Sequence, residues 1–189
     1  MALLDYADPD TASDEVAAAL AEHDSDRGSL LRPMLARHPP LLAAQMTYHD
    51  RLMLEGNLDR ALKELVGVVV SQRNTCDYCA SSHREKLHAL GLSADALAAV
   101  EDGSFEALDE RERAVARFAE QVATDAHRVG ESDLEALRAV GLDDQDVLEV
   151  LGVAAMFMAA NTLANALSIH PADRDVGLAP YADPSSLDS

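Results

Sequence analysis

The sequence contains no tryptophan, and aromatic residues make up only 4% of its 189 residues. This scarcity argues against a β-sandwich, which is usually built from aromatic and β-branched side chains. Hydrophobic residues nevertheless reach 48%, so Ala, Leu and Val must form the core. Such a core suits closely packed helices, and a chain this apolar folds rather than staying disordered. We therefore expect an all-α fold, and the length suits one domain.

Basic residues are also scarce. The chain has 15 Lys and Arg against 34 Asp and Glu, a net charge of −19, and only Lys63 and Lys86 are lysines. Nucleic-acid binding requires a basic patch, so nucleic acid is excluded as a partner. Two explanations of the acidity stay open, namely adaptation to high internal salt or an ordinary acidic cytosolic protein. The excess of Asp over Glu and the spread of acids along the chain favour the halophilic explanation.

Long apolar segments are missing as well. Residues 1–30 are polar and acidic and lack the apolar stretch of a signal peptide. The most apolar run, residues 150–160, falls short of the ~20 residues that cross a bilayer. We therefore expect a cytoplasmic protein that does not associate with membranes. In that compartment a Cys-x-x-Cys pair is more typical of catalysis or metal binding than of a structural disulfide.

The apolar spacing predicts a compact bundle of about seven to eight helices. An N-terminal helical arm covers residues 1–32, a helical domain 33–170 and a C-terminal tail 171–189. We expect the arm to hold one helix ending near Glu22 and then a polar loop through Arg32. The last helix, about 144–168, is apolar on most of its circumference. It must therefore be covered by the fold or by a neighbouring subunit.

The central part of the chain contains the informative helices. Residues 60–73 could form a buried strand, but the spacing of their apolar residues favours a helix. Thr75 is the expected cap of a helix over 76–90, which Gly91 ends. Residues 87–100 and 137–150 share a helix–glycine–leucine–cap pattern at an offset of 50 residues. This similarity indicates a duplicated helical hairpin, with coincidence as the alternative.

Two cysteines and a histidine then fall on one helical face. In a helix over 76–90, Cys76, Cys79 and His83 occupy positions i, i+3 and i+7. Cys76 would lie in the first turn, where the helix dipole favours a thiolate. Glu64 lies on a small, mostly apolar strip of the preceding helix, so it is either solvated or buried with a role in proton transfer. If the helices pack together, Glu64 and His83 form a base that deprotonates a cysteine.

Each of these residues also has a structural interpretation. A lone Cys-x-x-Cys is weak evidence, because buried cysteines often act only as small hydrophobic residues. Taken together, their spacing favours the functional interpretation. The other candidates are interpreted as structural: His49, His88, His127 and His170, with Asn161 and Asn165 as buried hydrogen-bonding residues.

The pattern Glu-x11-Cys-x2-Cys-x3-His, formed by Glu64, Cys76, Cys79 and His83, resembles the signature of the alkylhydroperoxidase D-like (carboxymuconolactone decarboxylase-like) family. The resemblance covers roughly residues 35–170, and the local sequence around the cysteines is similar to that of the peroxidase-related branch. In the best-studied branch a further His precedes the second Cys, whereas this chain has Tyr78 there.

The resemblance implies an all-α fold, a homo-oligomer (trimer or hexamer) and reduction of a hydroperoxide through a Cys76–Cys79 disulfide. An external dithiol or disulfide reductase would regenerate the thiols. We expect Cys79, beside His83, to attack the peroxide, and Cys76, as the more accessible thiol, to resolve the sulfenic acid. No cofactor and no bound metal are expected.

Three alternatives use the same residues. A zinc site could recruit Cys76, Cys79, His83 and Glu64, but one straight helix gives poor tetrahedral geometry. A thioredoxin-like fold would require alternating strands and helices, which the chain lacks. The third alternative is a non-enzymatic redox sensor.

Overall fold

The computed structural model describes residues 1–8, 11–22 and 29–174, and in these ranges the regular structure is entirely helical. The predicted all-α class is confirmed. Nine α-helices and two short 3-10 turns, Ala126–Arg128 and Pro171–Asp173, lie in the described ranges. The α-helices are α1 Asp14–Glu22, α2 Leu31–Leu35, α3 Pro39–Leu54, α4 Arg60–Arg73, α5 Asp77–Ala89, α6 Ala94–Glu101, α7 Glu110–Asp125, α8 Glu131–Ala139 and α9 Asp144–Ala166.

Helix α2 was not predicted. Its five residues were expected to end or follow a polar loop, but all five are buried, Arg32 included. A run of Leu, Met and Pro side chains in five residues gives the segment enough apolar surface to fold inward. Residues 23–28 of the predicted loop lie outside the described residues, as do residues 175–189 of the predicted tail.

The chain divides into two compact units, one formed by Met1–Asp50 with Leu163–Ser189 and the other by Arg51–Thr162. In the first unit, backbone hydrogen bonds join Leu3 N to Leu167 O at 2.9 Å and Ala7 N to Pro33 O at 3.0 Å. The second unit contains every residue of the predicted constellation. The sequence-based boundaries near residues 32 and 170 stay predictions.

Helix α4 forms the centre of the second unit. Asp59 caps it by accepting a hydrogen bond from Leu62 N at 2.9 Å, and the next ten residues, 62–71, are all buried. A helix that is buried all round needs neighbours on each side. α5, α6 and α7 pack against α4, and Phe157 of α9 approaches Gly67. The preference for a helix over a strand in this segment is confirmed.

The two glycine stops have the same geometry. Gly91 and Gly141 adopt φ of +103° and +86°, which only glycine reaches without strain. After each stop a leucine N–H returns to the helix: Leu92 N lies 3.2 Å from Leu87 O, and Leu142 N lies 3.2 Å from Leu137 O. The matching local structure agrees with a duplicated hairpin, whose common origin stays a prediction.

Helix α9 is longer than the apolar run that predicted it. Its 23 residues are long and apolar enough to cross a bilayer by length and composition alone, with 44% of the most apolar window buried. The core helix of a soluble protein passes the same test, so this is weak evidence for a membrane span. One stripe of α9 is exposed, and it consists of Leu148, Leu151, Ala155 and Ala159.

Candidate functional site

The connection between α4 and α5 positions the first cysteine. Thr75 adopts φ of +51°, a left-handed conformation that is unusual for a β-branched residue. This turn lets Cys76 N donate to Ser71 O at 2.9 Å, which ends α4 in the manner of a Schellman motif. Thr75 therefore cannot cap α5, and that prediction was wrong. Cys76 is the N-cap residue, and α5 begins at Asp77.

The cysteine pair is held by this cap. Cys76 Sγ accepts a hydrogen bond from Cys79 N at 3.4 Å, and both thiols are free. Cys76 is 1% exposed and Cys79 is 3% exposed, so the prediction that Cys76 is the more accessible thiol was wrong. The cap explains why Cys76 is buried, because a side chain that folds back onto the first helical turn does not reach solvent.

The two thiols have opposite pKa shifts. The hydrogen bond from the Cys79 thiol, helped by the Cys79 backbone N–H, lowers the pKa of Cys76 against the effect of burial. The same thiol–thiol hydrogen bond, together with burial, raises the pKa of Cys79. In the reduced pair, the first negative charge therefore resides on Cys76, and Cys79 keeps its proton. The lowered pKa of Cys76 is in the direction expected for a cysteine at the start of α5, although its cause here is the hydrogen bond from Cys79.

Glu64 and His83 form a buried pair that joins α4 to α5. His83 Nδ1 lies 2.6 Å from Glu64 Oε2, and the Glu64 side chain is fully buried. The expected contact between these residues is confirmed. Burial alone raises the pKa of the Glu64 carboxyl, but the hydrogen bond and charge of His83, with Lys86 and Arg60, outweigh it and bring the pKa to about 2. Glu64 is therefore ionised at neutral pH.

This geometry fixes which ring nitrogen can exchange a proton. An ionised carboxylate accepts, so Nδ1 of His83 is the atom that donates to Glu64. The carboxylate then orients the ring and leaves proton transfer to Nε2. His83 lies one helical turn after Cys79, at the i+4 position where side chains meet. The arrangement supplies an oriented general base on the face that carries the cysteines.

Arg60 is a site residue that the sequence interpretation missed. Its Nε donates to Glu64 Oε1 at 2.7 Å, so the two carboxylate oxygens bind different side chains. The i, i+4 spacing of Arg60 and Glu64 on α4 was a signal that could have found it. Arg60 is partly exposed, whereas Glu64 is not.

Helix α9 contributes two further side chains. The Phe157 ring meets the His83 imidazole edge to face, with centroids 4.5 Å apart and an angle of 80°. A Cβ on Gly67 would lie 2.6 Å from Phe157 Cζ, so only glycine admits this ring. One turn further along both helices, Ser71 Oγ donates to Asn161 Oδ1 at 3.1 Å. These contacts join residues 74 to 90 positions apart in the sequence, and no local pattern predicts them.

The remaining candidates lie apart from this cluster. Asn161 is buried as expected, but Asn165 is exposed, so that prediction was wrong for Asn165. Among the described residues, no three His, Cys, Asp or Glu side chains converge as a metal site. The predicted structural histidines are buried in one case, His49, and exposed in three, His88, His127 and His170.

The all-helical fold and the Glu–Cys–Cys–His cluster are what the resemblance to the alkylhydroperoxidase D-like family implied. Residues 39–121 match the carboxymuconolactone decarboxylase (CMD) family. Two solved structures are similar over most of their length. A peroxidase-related protein of Ralstonia eutropha JMP134, with an alkylhydroperoxidase AhpD core, is 28% identical, with a TM-score of 0.80 over 90% of this chain and 92% of its own.

A peroxidase-related protein of Silicibacter sp. TM1040 is 26% identical, with a TM-score of 0.78 over 90% of this chain and 91% of its own. The debrominase Bmp8, solved as a Cys-to-Ala variant with 2,3,4-tribromopyrrole, shares the fold at 16% identity. Its TM-score is 0.73 over 94% of this chain and 98% of its own. Comparison with curated protein sequences gave no significant match. The match over residues 39–121 and these two structures support the resemblance of this chain to the alkylhydroperoxidase D-like, carboxymuconolactone decarboxylase-like family.

Proposed function

We propose that this protein is a thiol-dependent peroxidase that cycles between the reduced Cys76–Cys79 pair and its disulfide. The observation that carries the proposal is the buried Glu64–His83 hydrogen bond of 2.6 Å, one turn from the cysteine pair. A carboxylate–imidazole pair beside a thiol is the usual means of activating a sulfur nucleophile. The similarity to two peroxidase-related proteins supports the same reaction class.

The reaction balances with the two cysteines alone. A thiolate attacks one peroxide oxygen, the O–O bond breaks, and the other oxygen leaves as an alcohol after taking a proton. The sulfur keeps the first oxygen as a sulfenic acid. The second cysteine attacks that sulfur and releases water, which forms the disulfide. The thiol pair supplies two electrons, and an external dithiol returns two electrons and two protons. No cofactor takes part in these steps.

We assign the attack to Cys79 and the resolving role to Cys76. Cys76 is the first of the two thiols to ionise, and its sulfur accepts the hydrogen bond from the Cys79 S–H. Passing that proton from Cys79 to Cys76 creates the attacking thiolate one turn from His83. His83, having taken at Nε2 the proton that Cys76 lost on ionising, can then return it to the departing alkoxide. The lowered pKa of Cys76 also makes it the better leaving group when the disulfide is reduced.

The two single-cysteine variants test these roles. Cys79→Ser should not react with hydroperoxide. Cys76→Ser should react once, stop at the sulfenic acid and be trapped by dimedone, as mass spectrometry would show. The opposite outcome, an inert Cys76→Ser and a dimedone adduct on Cys79→Ser, would reverse the two roles. Wild-type reactivity in both variants would show that the pair is not the active site.

A non-enzymatic redox sensor is the second candidate, and the burial of both sulfurs is the observation that favours it. Turnover separates the two functions. A peroxidase consumes many equivalents of hydroperoxide when a dithiol or disulfide reductase is supplied, whereas a sensor consumes one. The zinc alternative finds no support in the geometry, because no three His, Cys, Asp or Glu side chains in the described part of the chain converge as a metal site.

We also propose that the exposed stripe of α9 packs against a second copy of the chain. Leu148 is 67% exposed and Leu151 is 38% exposed, and Ala155 and Ala159 continue the same face. A flat stripe of Leu and Ala allows close approach of an identical helix. Light scattering should show an oligomer, and Ala155→Glu should dissociate it. A wild-type mass near 20.2 kDa in high salt would contradict this proposal.

A further inference from the structure

Asn161 is a buried polar side chain to which the proposed reaction gives no role. It is 0% exposed and directly follows the apolar run of residues 150–160 in α9. Its Oδ1 accepts from Ser71 Oγ at 3.1 Å. Its Nδ2 has no hydrogen-bond acceptor among the described residues. A buried amide that lacks a partner costs free energy, so native structures rarely keep one without a reason.

The Ser71 contact fixes which end of the amide is unpartnered. A hydroxyl that donates to Oδ1 holds the amide plane and turns Nδ2, with its two N–H bonds, away from Ser71. Ser71 also contacts the cysteine segment, through its backbone. The carbonyl of Ser71 accepts the N–H of Cys76 at 2.9 Å, so one residue connects the amide to the cap that holds the thiol pair.

A second contact places the same stretch of α9 against the catalytic base. Phe157, one turn before Asn161, meets His83 edge to face at 4.5 Å. Gly67, one turn before Ser71 on α4, allows that ring to approach. Phe157 therefore packs at the His83 end of the cluster, and Asn161 lies at the Cys76 end. The unpartnered donor belongs to the site rather than to a remote part of the core.

We infer that Asn161 binds the substrate of the proposed peroxidase, by donating from Nδ2 to an oxygen of the hydroperoxide. This inference rests on the proposed function and adds a substrate-binding residue to it. A hydroperoxide has two oxygens with lone pairs and little else that a polar site can recognise. One peroxide oxygen accumulates negative charge as the O–O bond breaks. A hydrogen bond from Nδ2 to that oxygen is therefore stronger in the transition state than in the ground state. Asn161 forms no bond and exchanges no proton.

The test compares peroxide with a thiol reagent that has no peroxide oxygen. Asn161→Leu keeps the size of the side chain and removes both polar groups, and Asn165→Leu on the same helix is the matched control. Stopped-flow kinetics would measure loss of the thiols with hydrogen peroxide and, separately, with iodoacetamide. We expect Asn161→Leu to react about 10- to 100-fold more slowly with peroxide, the range expected for loss of a hydrogen bond to a developing charge. Alkylation by iodoacetamide and the Asn165→Leu rates should stay within about twofold of wild type, since neither depends on this donor.

A second variant protects the test against a folding defect. Ser71→Ala keeps the amide and releases its orientation, so its rate with peroxide should fall by less than that of Asn161→Leu while alkylation again stays unchanged. Equal slowing of both reagents by Asn161→Leu would overturn the inference, because a merely structural residue acts on both. An unchanged peroxide rate would overturn it too, and would assign the amide to a buried water. If the wild type itself fails to react with peroxide, the proposed function fails and takes the inference with it.

Discussion

Lys63 and Glu64 are consecutive residues of α4, and both are buried with opposite charges. They point to different sides of the helix and enter different ion pairs. Lys63 Nζ donates to Leu52 O at 2.8 Å and also to Glu55 O, and it lies 2.6 Å from Glu149 Oε1 as an ion pair without hydrogen-bond geometry. Glu64 lies between Arg60 and His83.

The partners of the two residues distinguish a charge that stabilises the fold from a charge that is placed for proton transfer. The ammonium of Lys63 binds carbonyl oxygens at the end of α3, and Glu149 in turn accepts from Asn57 N at 2.8 Å. That network ties the loop before α4 to α9, and neither charge lies beside a reactive group. Glu64 is paired with an imidazole, the side chain that most readily exchanges a proton near neutral pH. Burial and charge alone would not distinguish them, but the partners do.

Lys63→Met removes the Lys63–Glu149 ion pair, and we expect this substitution to cause the largest loss of stability. Removing one partner leaves Glu149 buried without its cation, which typically costs about 3–5 kcal/mol. The free energy of unfolding from urea titration would measure this loss, and the folded variant should keep the wild-type rate with peroxide. The double variant Lys63→Met with Glu149→Gln should recover part of the stability. A large loss of peroxide rate in folded Lys63→Met would remove the distinction between the two pairs.

Lowering the pH should destabilise the folded protein by weakening the Glu64–His83 pair. The pKa of Glu64 is about 2 in the folded protein against 4.5 for the free group. The unfolded chain therefore binds more protons between these values, and stability falls as the pH falls. The contribution is fully present above pH 4.5 and lost by about pH 2, and it amounts to on the order of 3 kcal/mol. Urea titrations across this range would show the gap between wild type and Glu64→Gln closing; a gap independent of pH would contradict the assigned pKa.

Glu64→Gln should slow the reaction with peroxide about 100-fold at neutral pH, the lower range for loss of general acid–base catalysis. Without the carboxylate, His83 loses the group that orients its ring. The product should still be the Cys76–Cys79 disulfide, which mass spectrometry would confirm. Arg60→Gln is the milder comparison, because Arg60 contacts only the far oxygen of the carboxylate and is partly exposed. Equal rates in wild type and Glu64→Gln would exclude the Glu64–His83 pair from the mechanism.

The smallest expected effect is that of salt, which should screen the surface charge but not the buried Lys63–Glu149 pair. A net charge of −19 repels itself, and screening shortens from ~10 Å at 0.1 M to ~3 Å at 1 M salt. We expect the melting temperature of the wild type to rise between 0.1 M and 2 M KCl. The decrease caused by Lys63→Met should be the same at both concentrations, since a buried pair is hardly screened. Equal wild-type melting temperatures would show that the acidity has a cause other than salt.

The sequence predicted what depends on local pattern. Helical spacing placed Glu64 on a small, mostly apolar strip and left open whether it was solvated or buried. The i, i+3, i+7 positions placed Cys76, Cys79 and His83 on one face, which is buried. The predicted Thr75 cap was wrong because Thr75 adopts a left-handed conformation that its own side chain disfavours. The start of α5 therefore lies one residue later than predicted. Local propensity cannot foresee a conformation that surrounding contacts impose.

The rest of the site depends on contacts between distant segments. Phe157 and Asn161 reach the cluster from α9, and only the packing of three helices brings them to Gly67 and Ser71. Nothing in the apolar run around these residues separates a core phenylalanine from one that holds a catalytic imidazole. Helix α2 was missed for a related reason, because five apolar residues are too few to show a period.

The Cys76 cap also bears on how strongly this pair would oxidise its partners. The Cys76 sulfur accepts the Cys79 backbone N–H and the Cys79 S–H, and neither bond survives in the same form once the sulfurs are joined. Interactions that favour the reduced form raise the reduction potential, by roughly 30 mV for each 1.4 kcal/mol in a two-electron couple. In the proposed cycle, the same hydrogen bonds that begin α5 make the disulfide easier to reduce. A dithiol of ordinary reducing strength would then be sufficient to restore the enzyme.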